Sequence, residues 1–72
     1  MTTPVVKCHS GYAFAERPIA FEWQGKFLEI ETILAEWQTP EGKHFRVSTT
    51  DEQIFELVYE FVRDAWKVID KT

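Results

Sequence analysis

From Pro18 onward the chain alternates between apolar and polar residues. Ile19, Phe21 and Trp23 share one parity; Ala20, Glu22 and Gln24 share the other. Period-two alternation predicts a half-buried strand, with the apolar set facing a core. Gly25 then marks a tight turn. With Gln24-Gly25 as a two-residue loop, Phe21 opposes Leu28 and Ile19 opposes Ile30. With Gly25-Lys26 as the loop, Phe21 opposes Ile30, Trp23 opposes Leu28, and Glu22 meets Glu29. That like-charge pair favours the first register. The returning strand begins with Leu28 and Ile30 inward and Glu29 and Glu31 outward. Further on, the apolar residues are Ile33, Leu34, Ala35 and Trp37. An inward Trp37 requires a change of phase, which a β-bulge around Glu31–Leu34 would supply. Without it Trp37 stands outside. "TPEG" predicts a β-turn with Pro40 second and Gly42 fourth. A strand follows, with Phe45, Val47 and Thr49 inward and His44, Arg46 and Ser48 outward.

Upstream, "VVKCH" reads as a short edge strand and "SGYAFAERP" as a loop or irregular strand punctuated by Gly11 and Pro18. The first three or four residues are expected to fray.

The segment "DEQIFELVYEFVRDAWKVIDK" fits two templates. As strands, Phe55, Leu57 and Tyr59 alternate, a break falls near Val62–Ala65, and Trp66 and Val68 resume. As a helix, its charged and amide residues from Glu52 to Lys71 gather within an arc of ~120°, and Thr50 with Gln53 makes a capping box. The helix would carry an apolar arc about 200° wide, more than one small sheet covers. Nine of its eleven apolar residues are β-branched or aromatic, which suits strands. Against the hairpin, Val62–Ala65 holds no Gly, Pro or Asn.

The spacing of Phe21, Trp23, Gly25, the pair Ile33-Leu34 and Trp37, continued by Phe45-Arg46-Val47, Phe55, Leu57, Tyr59 and Trp66, resembles an uncharacterised bacterial family of small domains. The resemblance covers Phe21 to Val68, about two-thirds of the chain. Members carry Pro, Asp and Gly where this chain has Phe61–Ala65, which implies strand–turn–strand here as well; "FVRDA" departs from that pattern. The family brings no biochemical activity with it. Some members lie beside genes for DNA-repair polymerases, which implies a pathway and no mechanism.

The expected fold is therefore all-β: one domain over 1–72, a small antiparallel sheet of five or six strands, curled or closed into a partly open barrel. The alternative is α+β, three or four antiparallel strands with a C-terminal helix over 51–70.

Composition narrows the function. A domain of 72 residues buries only roughly 60% of its unfolded surface and is marginal unless its core is dense. Eleven aromatic residues supply that density, at ~150–250 Å² per ring. One cysteine excludes an internal disulfide and a Cys-rich zinc module. The chain shows no signal peptide and no apolar run of the ~20 residues that span a membrane, and it reads as cytoplasmic. Its formal charge of −4, with scattered bases, does not support nucleic-acid binding, whose affinity rests on phosphate contacts. Lys26, Lys43 and Arg46 would have to meet in the fold to make a basic patch.

Cys8 and His9, adjacent on a strand, point to opposite faces and make no thiolate–imidazole pair with each other. No histidine pair has metal-ligand spacing, and the three glycines sit singly at turns. Neither catalytic residues nor a cofactor or metal site is expected. The aromatic residues remain. Trp23 is core in either register. Trp37, beside a turn, with outward His44 and Arg46 on the next strand, is the candidate interaction surface. The expected role is a non-catalytic binding or accessory module for a protein partner, through an edge strand or this aromatic patch. The alternative is stacking of single-stranded nucleic acid on the rings.

Overall fold

The computed structural model describes residues 5–8 and 17–72. Six strands follow one another: β1 (Val6–Cys8), β2 (Pro18–Trp23), β3 (Lys26–Thr39), β4 (Gly42–Thr49), β5 (Ile54–Glu60) and β6 (Ala65–Asp70). They form one antiparallel sheet in sequence order, curled into a half-barrel. The expected loop "SGYAFAERP", apart from its last two residues, and the expected frayed start lie outside the described residues, as does His9. No helix among the described residues is long and apolar enough to cross a membrane.

The first hairpin takes the Gln24-Gly25 register. Phe21 faces Leu28, Glu22 faces Phe27, and Trp23 faces Lys26. Gln24 (φ 51°) and Gly25 (φ 82°) both have positive φ, as a two-residue turn matched to strand twist requires. This register keeps Glu22 away from Glu29. Ile19 departs from expectation. Lys7 pairs with Ala20 and Cys8 with Pro18, so Ile19 is the extra residue of a bulge. It stands 46% exposed, and its expected pairing with Ile30 does not form, since the β2–β3 ladder starts at Ala20.

Fourteen residues of straight strand would run roughly 45 Å, yet the molecule's longest extent is 31 Å. β3 must bend, and its register with β4 slips twice, between Ile30 and Thr32 and between Ile33 and Ala35. Each slip leaves one residue, Glu31 or Leu34, without a partner. These bulges turn the sheet over a core of Phe21, Phe45, Val47, Phe55, Leu57 and Tyr59. Trp23, Leu28, Ile30, Ile33, Trp66 and Val68 pack around it. Phe55 is the centre, meeting Phe21 and Trp23 edge-on at 5.0 and 5.2 Å between ring centroids.

The C-terminal segment is a hairpin, and the helix over 51–70 does not form. Phe55, Leu57 and Tyr59 enter the core from β5, and Trp66 and Val68 close over it from β6. The strand conformation sends these rings to one face, which a helix with a ~200° apolar arc could not do. The turn Phe61–Asp64 lacks glycine because Asp64 adopts the left-handed conformation (φ 50°), which Asp tolerates better than most residues. Its carboxylate accepts the Tyr59 hydroxyl, tying turn to core. The capping box is replaced by a turn around Thr49. The Gln53 N–H donates to Thr49 Oγ1 at 3.1 Å, and the Thr49 hydroxyl donates to the Asp51 carboxylate.

Gly42 is needed for closeness, with no demand on its φ. A Cβ there would lie 2.1 Å from the Tyr59 carbonyl oxygen. The β3–β4 turn sits against the β5–β6 turn, where the Phe61 N–H donates to the Glu41 carbonyl at 3.0 Å.

Candidate functional site

Two bulges in β3 decide where Trp37 goes. The first moves the inward phase from Leu28 and Ile30 to Ile33, which faces the buried Val47. The second reverses that change. Glu36 then faces Phe45, and Trp37 faces His44 on the outer side of the sheet. The indole lies flat on the imidazole, with centroids 5.1 Å apart and planes 11° apart. The Arg46 guanidinium, next along the same face of β4, lies 5.8 Å from the Trp37 ring centre. The three residues singled out in the sequence thus form one patch.

Two further residues hold it. His44 Nδ1 lies 3.3 Å from Glu56 Oε2, and Nε2 lies 3.0 Å from Thr39 Oγ1. A carboxylate only accepts, so in the neutral ring Nδ1 carries the proton and Nε2 accepts from the Thr39 hydroxyl. The other Glu56 oxygen lies 3.8 Å from Arg46. Glu56 and His44 side chains are only 12% and 14% exposed, whereas Arg46 is 47% exposed. Val58, opposite His44 on the same face, is buried.

Sequence reasoning missed Thr39 and Glu56. Glu56 faces Arg46 across β4–β5, a relation invisible until that pairing is known. Thr39 sits five residues before His44, and the "TPEG" turn folds it back.

Hydroxyl, imidazole and carboxylate stand in the order used for nucleophile activation. Here the hydroxyl also accepts the Glu41 N–H at 3.3 Å, within the turn. The chain of hydrogen bonds fixes the ring on which Trp37 rests.

The other candidates disperse. Lys26 lies at the β2–β3 turn, beside a cleft of about 170 Å³ lined by Trp23, Gln24, Leu28, Asp51 and Gln53. Lys43, on the opposite face from Arg46, pairs with Glu36 at 3.5 Å and lies over Phe45. The three bases make no common patch. β1, which carries Cys8, is separated from the His44 strand by β2 and β3 in the sheet order. Among the described residues no three His, Cys, Asp or Glu gather as for a metal ion.

Comparison with protein-family models, with curated proteins and with solved structures finds no match to this chain.

Proposed function

We propose that this domain is a non-catalytic binding module that engages a protein partner through Trp37, His44 and Arg46. The observation that carries the reading is the indole stacked on the outer face, away from the core. Trp and Arg are the side chains that most often dominate interface energetics. Holding them in place beforehand lowers the ordering cost of binding, about 0.5–1.5 kcal/mol for each side chain immobilised. Glu56 and Thr39 do that holding, through His44.

Single-stranded nucleic acid is the second reading, favoured by an indole next to a guanidinium. Against it, Glu56 sits within the patch, Lys26 and Lys43 lie elsewhere and the chain is net negative.

Cross-linking in cells of the source organism, followed by mass spectrometry, separates these readings. One protein should be captured by the wild type and by Phe27→Ala, a control at an exposed ring elsewhere. Capture should fail with Trp37→Ala and with Arg46→Ala. Capture indifferent to Trp37 would end the reading. Oligothymidylate binding that weakens steeply with salt and is lost with Trp37→Ala would replace it with the second.

A further inference from the structure

β3 changes neighbours along its length. Lys26 to Glu29 pair with β2, while Ile30 to Thr39 pair with β4 on the other side. Beyond Glu29, no described residue pairs with the side of β3 that β2 has left. A cleft of about 240 Å³ opens where they diverge, with Arg17, Pro18 and Ile19 facing Ile30 to Ile33. Leu34, at the second bulge, is 51% exposed. Bulges blunt an edge against pairing, but the stretch after them is regular. Ala35 to Thr39 run in one-to-one register with Arg46 to Gly42, and Trp37 is their midpoint.

We infer that the partner adds an extended strand along this edge, from Ala35 to Thr39, with an apolar ring or aliphatic side chain opposite Trp37 and a carboxylate opposite Ala35. The inference rests on the partner-binding reading above and adds the mode of binding and the chemistry of the bound segment. An edge strand offers unpaired N–H and C=O groups, and an extended peptide satisfies them while alternate side chains supply specificity. A residue directly opposite Trp37 has its Cβ about 4.5–5.5 Å away, in reach of the indole. Ala35 is small, exposed and opposite Arg46. A long acidic side chain placed beyond it reaches over the methyl group towards the guanidinium. That guanidinium is 47% exposed, and its carboxylate, Glu56, is shared with His44. Glu36, between these positions, has the opposite parity and pairs with Lys43, so it does not repel the incoming acid. In antiparallel addition the segment reads ring, any residue, acid.

The probe is the blocked hexapeptide Thr-Thr-Phe-Thr-Glu-Thr, titrated to millimolar concentration into the ¹⁵N-labelled full chain. Strand addition predicts slowed hydrogen exchange at alternate amides from Ala35 to Thr39 and a shift of the Trp37 indole N–H. It also predicts at least tenfold weaker binding when the peptide Glu is replaced by Lys, when its central Thr is replaced by Pro, or in the Ala35→Glu chain. Far-UV circular dichroism checks that the last remains folded. A shifted indole without edge protection overturns strand addition and leaves the patch reading standing. No response to the peptide, edge amides already protected in the free chain, or equal displacement by oligothymidylate also overturns it. The patch reading is judged separately, by capture with Trp37→Ala.

Discussion

Trp23 and Trp37 each sit beside a hairpin turn, each half-buried, and they do opposite things. Trp23 packs against the core with its ring edge-on to Phe55. Trp37 lies on the outer face, flat on a hydrogen-bonded imidazole. The first is held by apolar burial, which has no preferred direction and depends on area. The second is held by a polar scaffold that fixes orientation and contributes little to burial. A ring of the first kind stabilises the fold; a ring of the second kind is available to something else. The contrast lies between faces of one sheet, set by strand parity.

The largest break in that contrast is at the inner ring both Phe21 and Trp23 rest on. Phe55→Ala should cost about 3–5 kcal/mol, a large share of the roughly 5–15 kcal/mol available to a small domain. Urea titration followed by circular dichroism should show a mostly unfolded chain, and Phe55→Leu a folded one with a lower midpoint. A Phe55→Ala chain as stable as wild type would mean that the inner rings are not the core.

Next comes Gly42. The Cβ of Gly42→Ala meets a backbone carbonyl at 2.1 Å, and backbone has no rotamer with which to yield. Forced overpacking of this kind costs about 1–3 kcal/mol. It should also separate the two turns that the Phe61–Glu41 hydrogen bond joins. Faster exchange of the Phe61 amide is the direct measure, and an unchanged rate would contradict the close approach.

Trp37→Ala sharpens the comparison from the other side. It removes a stack on a solvent-facing surface, so the urea midpoint should move by less than the equivalent of about 1 kcal/mol, while capture of the proposed partner should be lost. Glu56→Gln should act more gently on the same patch. The amide oxygen can still accept from His44 Nδ1, so what is lost is the charge beside the half-exposed Arg46, a pair worth about 0–1 kcal/mol. Broadened His44 ring signals in the NMR spectrum would report the loosened scaffold. A Trp37 variant that unfolds the chain would erase the distinction between the two tryptophans.

Much of this was readable from alternation alone. The first hairpin's register followed from one avoided like-charge pair, Glu22 with Glu29. The inward set of β4 followed from Phe45, Val47 and Thr49. What alternation could not deliver was the number of bulges in β3. Parity reports only whether that number is odd or even. Two bulges restore the phase, so a strand bulged twice and a straight strand put Trp37 on the same side. An inward Trp37 calls for one bulge near Glu31–Leu34; both Glu31 and Leu34 bulge, and Trp37 stays outside. Ile19 escaped for a similar reason, since its bulge is fixed by the partner strand β1. The C-terminal hairpin was hard to separate from a helix because its turn signal is tertiary. Asp64 can take a left-handed conformation, but only the folded chain brings the Tyr59 hydroxyl to its carboxylate.

That last contact gives the smallest expected effect. The Asp64 carboxylate accepts the Tyr59 hydroxyl, and this hydrogen bond, with burial and the nearby negative charge, holds the phenol pKa above its ordinary value. A phenol harder to ionise in the folded than in the unfolded chain binds its proton more tightly when folded. Its contribution to stability is therefore complete below the unfolded phenol pKa, about 10, and is lost as pH rises through the folded value. Asp64→Asn removes the charge and keeps a side chain that tolerates the left-handed turn. Phenolate absorbance should then rise at lower pH than in the wild type, and the alkaline loss of stability attributable to Tyr59 should shrink. Capture of the proposed partner through Trp37, on the other face, should be unchanged. An unaltered phenolate titration in Asp64→Asn would show that burial alone sets the Tyr59 hydroxyl and that the turn is held by its backbone.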